Sequence, residues 1–317
     1  MLNEGRFSVT AILLLLAAVL AFQPLLAQDQ AEDLEPFRVD VDAVNVLVTV
    51  TDEDTGRFVK NIPRSFFRIY EDGEEQEITN FVQQTNMPLT IALCIDTSSS
   101  VKMKLDFEKE AALDFLYSIL KPRDKALLAE FDTGVTLLQD FTSNPNDLAE
   151  KIYGLQAGGG TSLYDCLHLV SEQKLLYEEG RRTMVVLTDG SDLSSRHTPE
   201  EALSSVLKAE AAIYAISTTN LGTDQDWQGD NTLKNITELT GGRVFFPYSN
   251  RDLIKALKDV ENELRNQYSI TYIPTNMEKD GTYREIKIEL DWDDTKLRHR
   301  KGYYASLPSD LRRRFGF

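Results

Sequence analysis

Residues 91–102 read IALCIDTSSSVK, an apolar run followed by one aspartate and then by four hydroxyl-bearing residues. A short apolar run of this kind is typical of a strand that is buried on both faces of a parallel sheet. Asp96 then stands at the carboxyl end of that strand. Because ligands of open parallel sheets bind beyond the carboxyl ends of the strands, the stretch predicts an α/β fold with a polar site at this edge.

The region from 88 to 266 continues this pattern, since apolar strands alternate there with longer helical segments. The predicted strands cover residues 90–95, 125–131, 184–188, 212–217 and 244–246, with a short edge strand at 135–138. The predicted helices lie near residues 102–120, 145–155, 162–178, 198–209, 230–240 and 251–266. Such alternation is typical of βα units that stack into a Rossmann-like, doubly wound, mostly parallel sheet. We therefore predict one α/β domain over residues 88–266.

Strand patterns flank this domain on both sides. Residues 39–50 alternate in hydrophobicity, and residues 65–82 read as two strands joined by the turn Asp72-Gly73. After the domain, three further segments read as strands, at 267–273, 283–290 and 296–305. Three strands on either side are too few for a stable sandwich of their own. We therefore expect residues 37–86 and 267–305 to pair into one small β-sandwich, into which the α/β domain is inserted.

The charge balance argues against one class of partner. The 317 residues include 51 acidic and 34 basic side chains, a formal net charge of -17. This field repels phosphate backbones, so nucleic acid is not an expected partner. The chain has only two cysteines, and both Cys94 and Cys166 fall in apolar surroundings. We expect two buried free thiols rather than a disulfide framework.

The N-terminal segment has the layout of a secretory signal peptide. Residues 1–27 combine a short polar start with an apolar stretch and end at Ala27, where cleavage is expected. An uncleaved N-terminal anchor is the alternative, because residues 24–26 could extend the apolar stretch. No other segment approaches membrane-spanning length. We therefore expect a secreted or periplasmic protein with no membrane span in the mature chain.

A second aspartate follows another apolar run, at Asp189 in the sequence TMVVLTDG. If the two strands are neighbours, their carboxylates emerge about 5–10 Å apart and repel each other unless a cation lies between them. Ser98 and Ser100 follow Asp96, and Thr161 comes from the glycine-rich loop AGGGTS. Two carboxylates and three hydroxyls are hard oxygen ligands, which suit Mg²⁺ or Mn²⁺. The sequence therefore predicts a divalent-cation site made of these five residues.

Each part of this site also has a purely structural interpretation. Ser100 could cap the following helix, and residues 162–165 could form a capping box that would leave Thr161 only a helix-initiating role. The three glycines before Thr161 could form a flexible turn, and Asp189 with Gly190 an ordinary turn. We interpret two further acids, Asp132 and Asp192, as solvated loop residues.

These motifs resemble a known family. The segment DTSSS fits Asp-x-Ser-x-Ser and, with Thr161 and Asp189, resembles the metal-ion-dependent adhesion site (MIDAS) of von Willebrand factor type A (VWA) domains. The resemblance covers about residues 88–266. The flanking segments LRNQYSITYIP and KLRHRKGYYA are similar to those of bacterial exported proteins that carry a "VWFA-related" domain.

The resemblance implies a role for each residue of the site. Ser98, Ser100 and Thr161 would contact the ion, while Asp96 and Asp189 would hold it directly or through water. One coordination position would remain for an Asp or Glu carboxylate of a partner protein. The expected function is therefore an exported, divalent-cation-dependent, adhesion-type binding module.

Two other functions stay open from the residues alone. One is a metal-dependent hydrolase of phosphate esters, and the other is a structural domain whose ion only stabilises the fold. Hydrolysis needs a general base, yet His168, His197 and His299 all lie outside the motif. The sequence also lacks a phosphate-binding loop of the Gly-x-x-x-x-Gly-Lys type and a Gly-x-Ser-x-Gly nucleophile turn. We therefore do not expect an enzyme.

Overall fold

The computed structural model describes residues 43–83, 87–219 and 227–305. These residues belong to one compact unit that contains a six-stranded sheet and two four-stranded sheets. The signal peptide predicted over residues 1–27 lies outside the described residues. Among the described residues, no helix combines the length and the apolar character that crossing a membrane requires.

The element bounds are as follows. In chain order the strands are β1 (Val44–Asp52), β2 (Phe67–Glu71), β3 (Glu74–Gln76), β4 (Ile78–Gln83), β5 (Leu89–Asp96), β6 (Lys125–Phe131), β7 (Val135–Thr142), β8 (Arg181–Thr188), β9 (Ala212–Ser217), β10 (Arg243–Phe245), β11 (Tyr268–Tyr272), β12 (Tyr283–Leu290), β13 (Thr295–Arg298) and β14 (Gly302–Tyr304). The α-helices are α1 (Leu105–Ile119), α2 (Pro145–Tyr153), α3 (Leu163–Gln173), α4 (Pro199–Lys208), α5 (Trp227–Thr240) and α6 (Asn250–Arg265).

The six-stranded sheet has the order β10-β9-β8-β5-β6-β7. Its strands are parallel except β7, which pairs antiparallel with β6 at the edge. All eight residues of β5 are buried, as expected of a central strand covered on both faces. β6 pairs with one side of β5 and β8 with the other, so the strand order reverses at β5. The predicted α/β, mostly parallel, doubly wound fold is confirmed.

Helices cover both faces of this sheet, and the side chains of β5 alternate between the two layers. Ile91, Leu93 and Ile95 pack with α1, α2 and α6. Ala92 and Cys94 pack with α3, α4 and α5 on the other face. Cys94 and Cys166 are both buried free thiols, as predicted. Because helices pack on both faces, the last residue of each parallel strand lies at the carboxyl edge of the sheet.

Strands from both ends of the chain form the two small sheets. One has the order β13-β1-β11-β4 and the other β14-β12-β2-β3. Both sheets therefore combine strands that precede the six-stranded sheet with strands that follow it. Their facing sides share one apolar core, which includes Val46, Val48, Ile69, Ile270 and Ile286. The predicted arrangement, an α/β fold inserted into a small β-sandwich, is confirmed.

Two segments of the sandwich were each predicted as one strand, and this was wrong. The segment after the Asp72-Gly73 turn divides into β3 and β4, which lie in different sheets, and the last segment likewise divides into β13 and β14. Strands that pass from one sheet of a sandwich to the other must bend at the corner, which interrupts the ladder. The turn itself is correct, because Asp72 and Gly73 both have positive φ, as a two-residue hairpin requires.

A buried carboxylate connects the sandwich to the α/β fold. Glu263 of α6 accepts hydrogen bonds from Thr49 of β1 at 3.2 Å and from Tyr214 of β9 at 3.0 Å. It also pairs with Arg298 of β13. One helix side chain thus contacts two sandwich strands and one strand of the central sheet, which fixes the end of α6 against both.

Candidate metal centre

The two aspartates of the predicted site end neighbouring strands. β5 and β8 pair in parallel up to Ile95 and Leu187, so Asp96 and Asp189 leave the sheet side by side. Both side chains are buried. The expectation that these two strands are neighbours at the reversal of strand order is confirmed.

Asp96 is buried in a polar setting that contains no basic side chain among its hydrogen-bond partners. Its Oδ1 accepts a hydrogen bond from the backbone N–H of Ser98 at 2.8 Å, and its Oδ2 accepts one from the Thr188 hydroxyl at 2.7 Å. Burial raises the pKa of Asp96 to about 6, against the effect of these hydrogen bonds, and the charge of Asp189 raises it further. A carboxylate with a pKa raised in this way is stabilised by a bound cation.

The hydroxyls of Ser98 and Ser100 face each other. Their Oγ atoms lie 2.9 Å apart, in a turn of 3₁₀ helix that begins after Ser98. Helix α1 begins only at Leu105, and its N-cap residue Lys104 makes no side-chain capping bond. Ser100 therefore does not cap the helix, and this structural alternative was wrong. Both hydroxyls remain available beside Asp96.

The glycine-rich loop packs directly on the Asp-x-Ser-x-Ser turn. The Gly158 N–H donates to the carbonyl oxygen of Thr97 at 2.7 Å, and Ser99 donates from its backbone N–H and from its hydroxyl to the carbonyl of Gly159. Gly159 has a φ of +75°, and a Cβ there would lie 2.7 Å from the Thr133 hydroxyl. Only glycine suits this position. The loop thus delivers the buried Thr161 close to the first motif.

The loop after Asp189 contacts the loop that carries Thr161. The carbonyl oxygen of Thr161 accepts hydrogen bonds from the N–H groups of Leu193 at 3.1 Å and Ser194 at 2.9 Å. The Asp189 carboxylate accepts one from the N–H of Ser191 at 3.1 Å. Backbone contacts therefore hold the three loops together, and these loops carry all five predicted residues.

Helix α3 is capped by a different residue from the one predicted. Ser162 makes no capping bond, so the capping box over 162–165 was wrong. Asp192 instead accepts a hydrogen bond from the Tyr164 N–H at 2.9 Å, and the Ser195 hydroxyl accepts one from the N–H of Asp165. Interpreting Asp192 as a solvated loop acid was also wrong. This residue ties the loop after Asp189 to the helix that follows Thr161.

The three histidines have other partners. The His197 ring lies 2.7 Å from Asp165, and it stacks on His168 with ring centroids 3.8 Å apart. The hydrogen bonds of His197 hold the pKa of Asp165 below its usual value, although burial acts in the opposite direction. His168 bonds to Ser205, and His299 to the carbonyl of Arg300. Within the described part of the chain, none of these hydrogen bonds reaches the five predicted residues.

The donor set fits a hard divalent cation. In the described ranges, no group of three or more His, Cys, Asp or Glu side chains is arranged to hold a metal. An ion at this site would therefore depend on the hydroxyls as well as on the two aspartates. Oxygen donors alone suit Mg²⁺ or Mn²⁺ rather than zinc or copper. The raised pKa of the buried Asp96 carboxylate agrees with such an ion.

Sequence reasoning missed two residues near the site. Thr188 precedes Asp189 and bonds to Asp96, and its position at the end of β8 could have indicated this. Glu108 is fully buried on α1, and the charges of Asp96 and Asp189 both act on it. The signal was present, because Glu108 is spaced from Leu105 and Ala112 as an apolar core residue would be.

Comparisons with known proteins agree with the fold and the motifs. A family model described as the von Willebrand factor type A domain matches residues 91–191. Inter-alpha-trypsin inhibitor heavy chain H4 of Bos taurus is 25% identical over 194 residues, which are 57% of this chain and 21% of that protein. The von Willebrand factor A domain-containing protein 3B of Homo sapiens is 26% identical over 224 residues, which are 62% of this chain and 16% of that protein. The chain thus spans less than a quarter of the length of either relative.

A solved structure resembles more of the chain. The von Willebrand factor type A protein from Catenulispora acidiphila covers 87% of this chain, which spans 77% of it, with a TM-score of 0.50 and 13% identity. At this identity the likeness concerns the fold alone. The family model matches residues 91–191, a range that contains all five predicted site residues. Residues 91–191 of this chain thus match the von Willebrand factor type A domain.

Proposed function

We propose that this chain is an exported, divalent-cation-dependent protein-binding module of the adhesion type. One observation supports the proposal: three loops at the carboxyl edge of the sheet are joined by backbone hydrogen bonds, and these loops carry the two aspartates and the three hydroxyl residues. Its partner is a protein that presents an Asp or Glu side chain. Mg²⁺ or Mn²⁺, held by Asp96, Ser98, Ser100, Thr161 and Asp189, would supply a coordination position for that carboxylate.

The composition of the donor set favours recruitment of an outside acid. Hydroxyls are neutral, so three of the five donors leave the charge of a divalent ion uncompensated. The two aspartates balance that charge only formally, and Asp96 shares its negative charge with two hydrogen-bond donors. An additional carboxylate is then attracted to the ion. Burial of the aspartates strengthens this attraction, because water screens it less.

Binding outside the cytoplasm is the context that the N-terminal sequence supports. Residues 1–27 have the pattern of a signal peptide, and the acidic composition disfavours nucleic acid. The match of residues 91–191 to the von Willebrand factor type A domain supports an interaction module rather than an enzyme. A binding role requires no general base, and the five predicted residues include no histidine.

Affinity capture tests this proposal. The wild-type chain is immobilised and exposed to the exported proteins of its own cells in Mg²⁺, and the bound proteins are then eluted with EDTA and identified. We expect the same proteins to be absent when Asp96→Ala is immobilised instead. A partner that stays bound in EDTA and on Asp96→Ala would contradict the proposal. Turnover of p-nitrophenyl phosphate with Mn²⁺ that is lost in Asp96→Ala would support a hydrolase in its place.

Ion binding is expected to weaken in mild acid. The pKa of Asp96 is raised to about 6, so the carboxylate is ionised above that pH and protonated below it. Because a proton and a cation compete for the same carboxylate, the Mn²⁺ affinity should fall about tenfold for each pH unit below pH 6. Calorimetric titrations with Mn²⁺ at a series of pH values measure this. An affinity that stays constant from pH 7 to pH 5 would contradict ligation by Asp96.

A further inference from the structure

Helix α1 carries one carboxylate on the face that packs against the central sheet. Glu108 is 0% exposed, and the same face of the helix presents Leu105, Ala111, Ala112 and Phe115 to the core. An acid at such a position is costly unless hydrogen bonds or a cation compensate its charge. A buried Glu108 therefore needs a hydrogen-bond partner or a cation.

The Thr218 hydroxyl is the protein group that lies beside Glu108, close enough to lower the pKa of its carboxyl. Neither carboxylate oxygen of Glu108 nor the Thr218 hydroxyl makes a hydrogen bond of good geometry to any described residue, and all three atoms are buried. Lys104 lies one turn earlier on the helix, but its Nζ donates to the carbonyl oxygen of Thr218 at 2.7 Å. Buried polar atoms without protein partners usually bind ordered water or an ion. Three such atoms from Glu108 and Thr218 form a buried polar cluster.

The electrostatic surroundings place the cluster of Glu108 and Thr218 near the two aspartates. Burial raises the pKa of Glu108 to about 8, and the negative charges of Asp96 and Asp189 contribute to the increase. The Lys104 ammonium and the Thr218 hydroxyl act in the opposite direction. The cluster also contacts the end of β8 directly, because the Thr218 N–H donates to the carbonyl of Thr188 at 2.9 Å. Glu108 thus lies in the core near the two aspartates of the candidate metal centre.

We propose that Glu108 is an internal member of the cation site and accepts hydrogen bonds from water molecules of the ion held by Asp96 and Asp189. The inference rests on the proposed function, since it requires a divalent ion at that site. Mg²⁺ in proteins usually keeps several water ligands, and the protons of those waters need acceptors. The oxygens of Asp96 already accept hydrogen bonds from Ser98 and Thr188. A bound divalent ion would favour the ionised form of Glu108, whose oxygens could then accept hydrogen bonds from those waters.

Two substitutions test this role, Glu108→Gln and Glu108→Leu. Replacing an outer acceptor typically lowers metal affinity about 10–100-fold, so we expect Mn²⁺ to bind both variants more weakly by that factor in calorimetry. Glu110→Gln is the matched control, because Glu110 is exposed on the same helix. Its Mn²⁺ affinity should equal that of the wild type.

Melting temperatures in EDTA separate this role from a structural one. Without the ion, the buried acid is a cost, so Glu108→Leu should be at least as stable as the wild type. A residue that only supports the fold would give the opposite pattern, with a lower melting temperature in EDTA and an unchanged Mn²⁺ affinity, and that result would overturn the inference.

The same titration distinguishes the two proposals from each other. If the wild type binds Mn²⁺ and both Glu108 variants bind it equally well, the inference about Glu108 is wrong while the proposed function stands. If the wild type itself takes up no Mn²⁺, both fail together. Weaker binding by the two variants, with normal binding by Glu110→Gln, supports both.

Discussion

Replacing Asp96 with alanine is expected to lower the affinity for Mn²⁺ or Mg²⁺ by at least about 10–100-fold, because losing one of the two carboxylates of the predicted donor set should cost no less than losing an outer partner. Asp96 is the residue on which the site converges, because it ends the central strand and receives hydrogen bonds from Ser98 and Thr188. Its removal leaves Asp189 as the single carboxylate among the five predicted donors. Calorimetric titration of the ion into the purified chain measures the effect.

The control for this substitution is Asp106→Ala. Asp106 follows the same motif in sequence, but its side chain is 97% exposed. It should bind the ion with wild-type affinity. Circular dichroism of both variants in EDTA establishes that they are folded. An Asp96→Ala variant that is folded and binds the ion as the wild type does would exclude Asp96 from the site.

Replacing Glu71 with alanine is expected to lower the free energy of unfolding by about 3–5 kcal/mol, the usual effect of breaking a buried charged network. Glu71 of β2 accepts hydrogen bonds from the hydroxyls of Tyr272 at 2.6 Å and Tyr303 at 2.9 Å. Its second oxygen lies 3.8 Å from Arg284, whose side chain is 2% exposed. The substitution would leave two buried hydroxyls without their acceptor and remove a carboxylate that balances the charge of a buried guanidinium. Urea unfolding measures the change.

Glu75→Ala is the control for the sandwich, since Glu75 is exposed on the neighbouring strand β3. It should change the free energy of unfolding by less than about 0.5 kcal/mol. The comparison also tests the architecture, because Glu71 precedes the central sheet in sequence while Tyr272, Arg284 and Tyr303 all follow it. A loss below about 1 kcal/mol for Glu71→Ala would mean that the two chain ends do not share this network.

The fold was predictable where hydrophobicity alone determines it. The strand β5 is one apolar run, and burial on both faces leaves it only a central position in a parallel sheet. The same reasoning placed Asp96 and Asp189 at neighbouring strand ends, because both aspartates follow such runs. The sandwich could be predicted because each end of the chain has too few strands to bury its own apolar face.

The features that the sequence did not predict depend on contacts between distant segments. The corners that divide the sandwich strands arise where two sheets pack together. The alternating pattern of a single strand does not predict such corners. The cap of α3 comes from Asp192, 28 residues after Tyr164. A capping box at residues 162–165 was the local solution, but the loop after β8 provided a competing acceptor.

Glu108 illustrates a different limit. Its spacing on α1 marks it as a core position, and its residue type marks it as a surface one. The residue type favours the surface position, because an exposed acid is far more common than a buried one. Only the packed structure shows that the side chain is enclosed and that its oxygens make no hydrogen bond of good geometry to the described residues.

The most direct test of the central claim is anomalous diffraction from crystals of the wild-type chain grown with Mn²⁺. We expect one strong peak enclosed by Asp96, Ser98, Ser100, Thr161 and Asp189, with the nearest oxygens about 2.1–2.2 Å away. Crystals that contain Mn²⁺ but show no peak among these side chains, or show one only elsewhere on the molecule, would contradict the account.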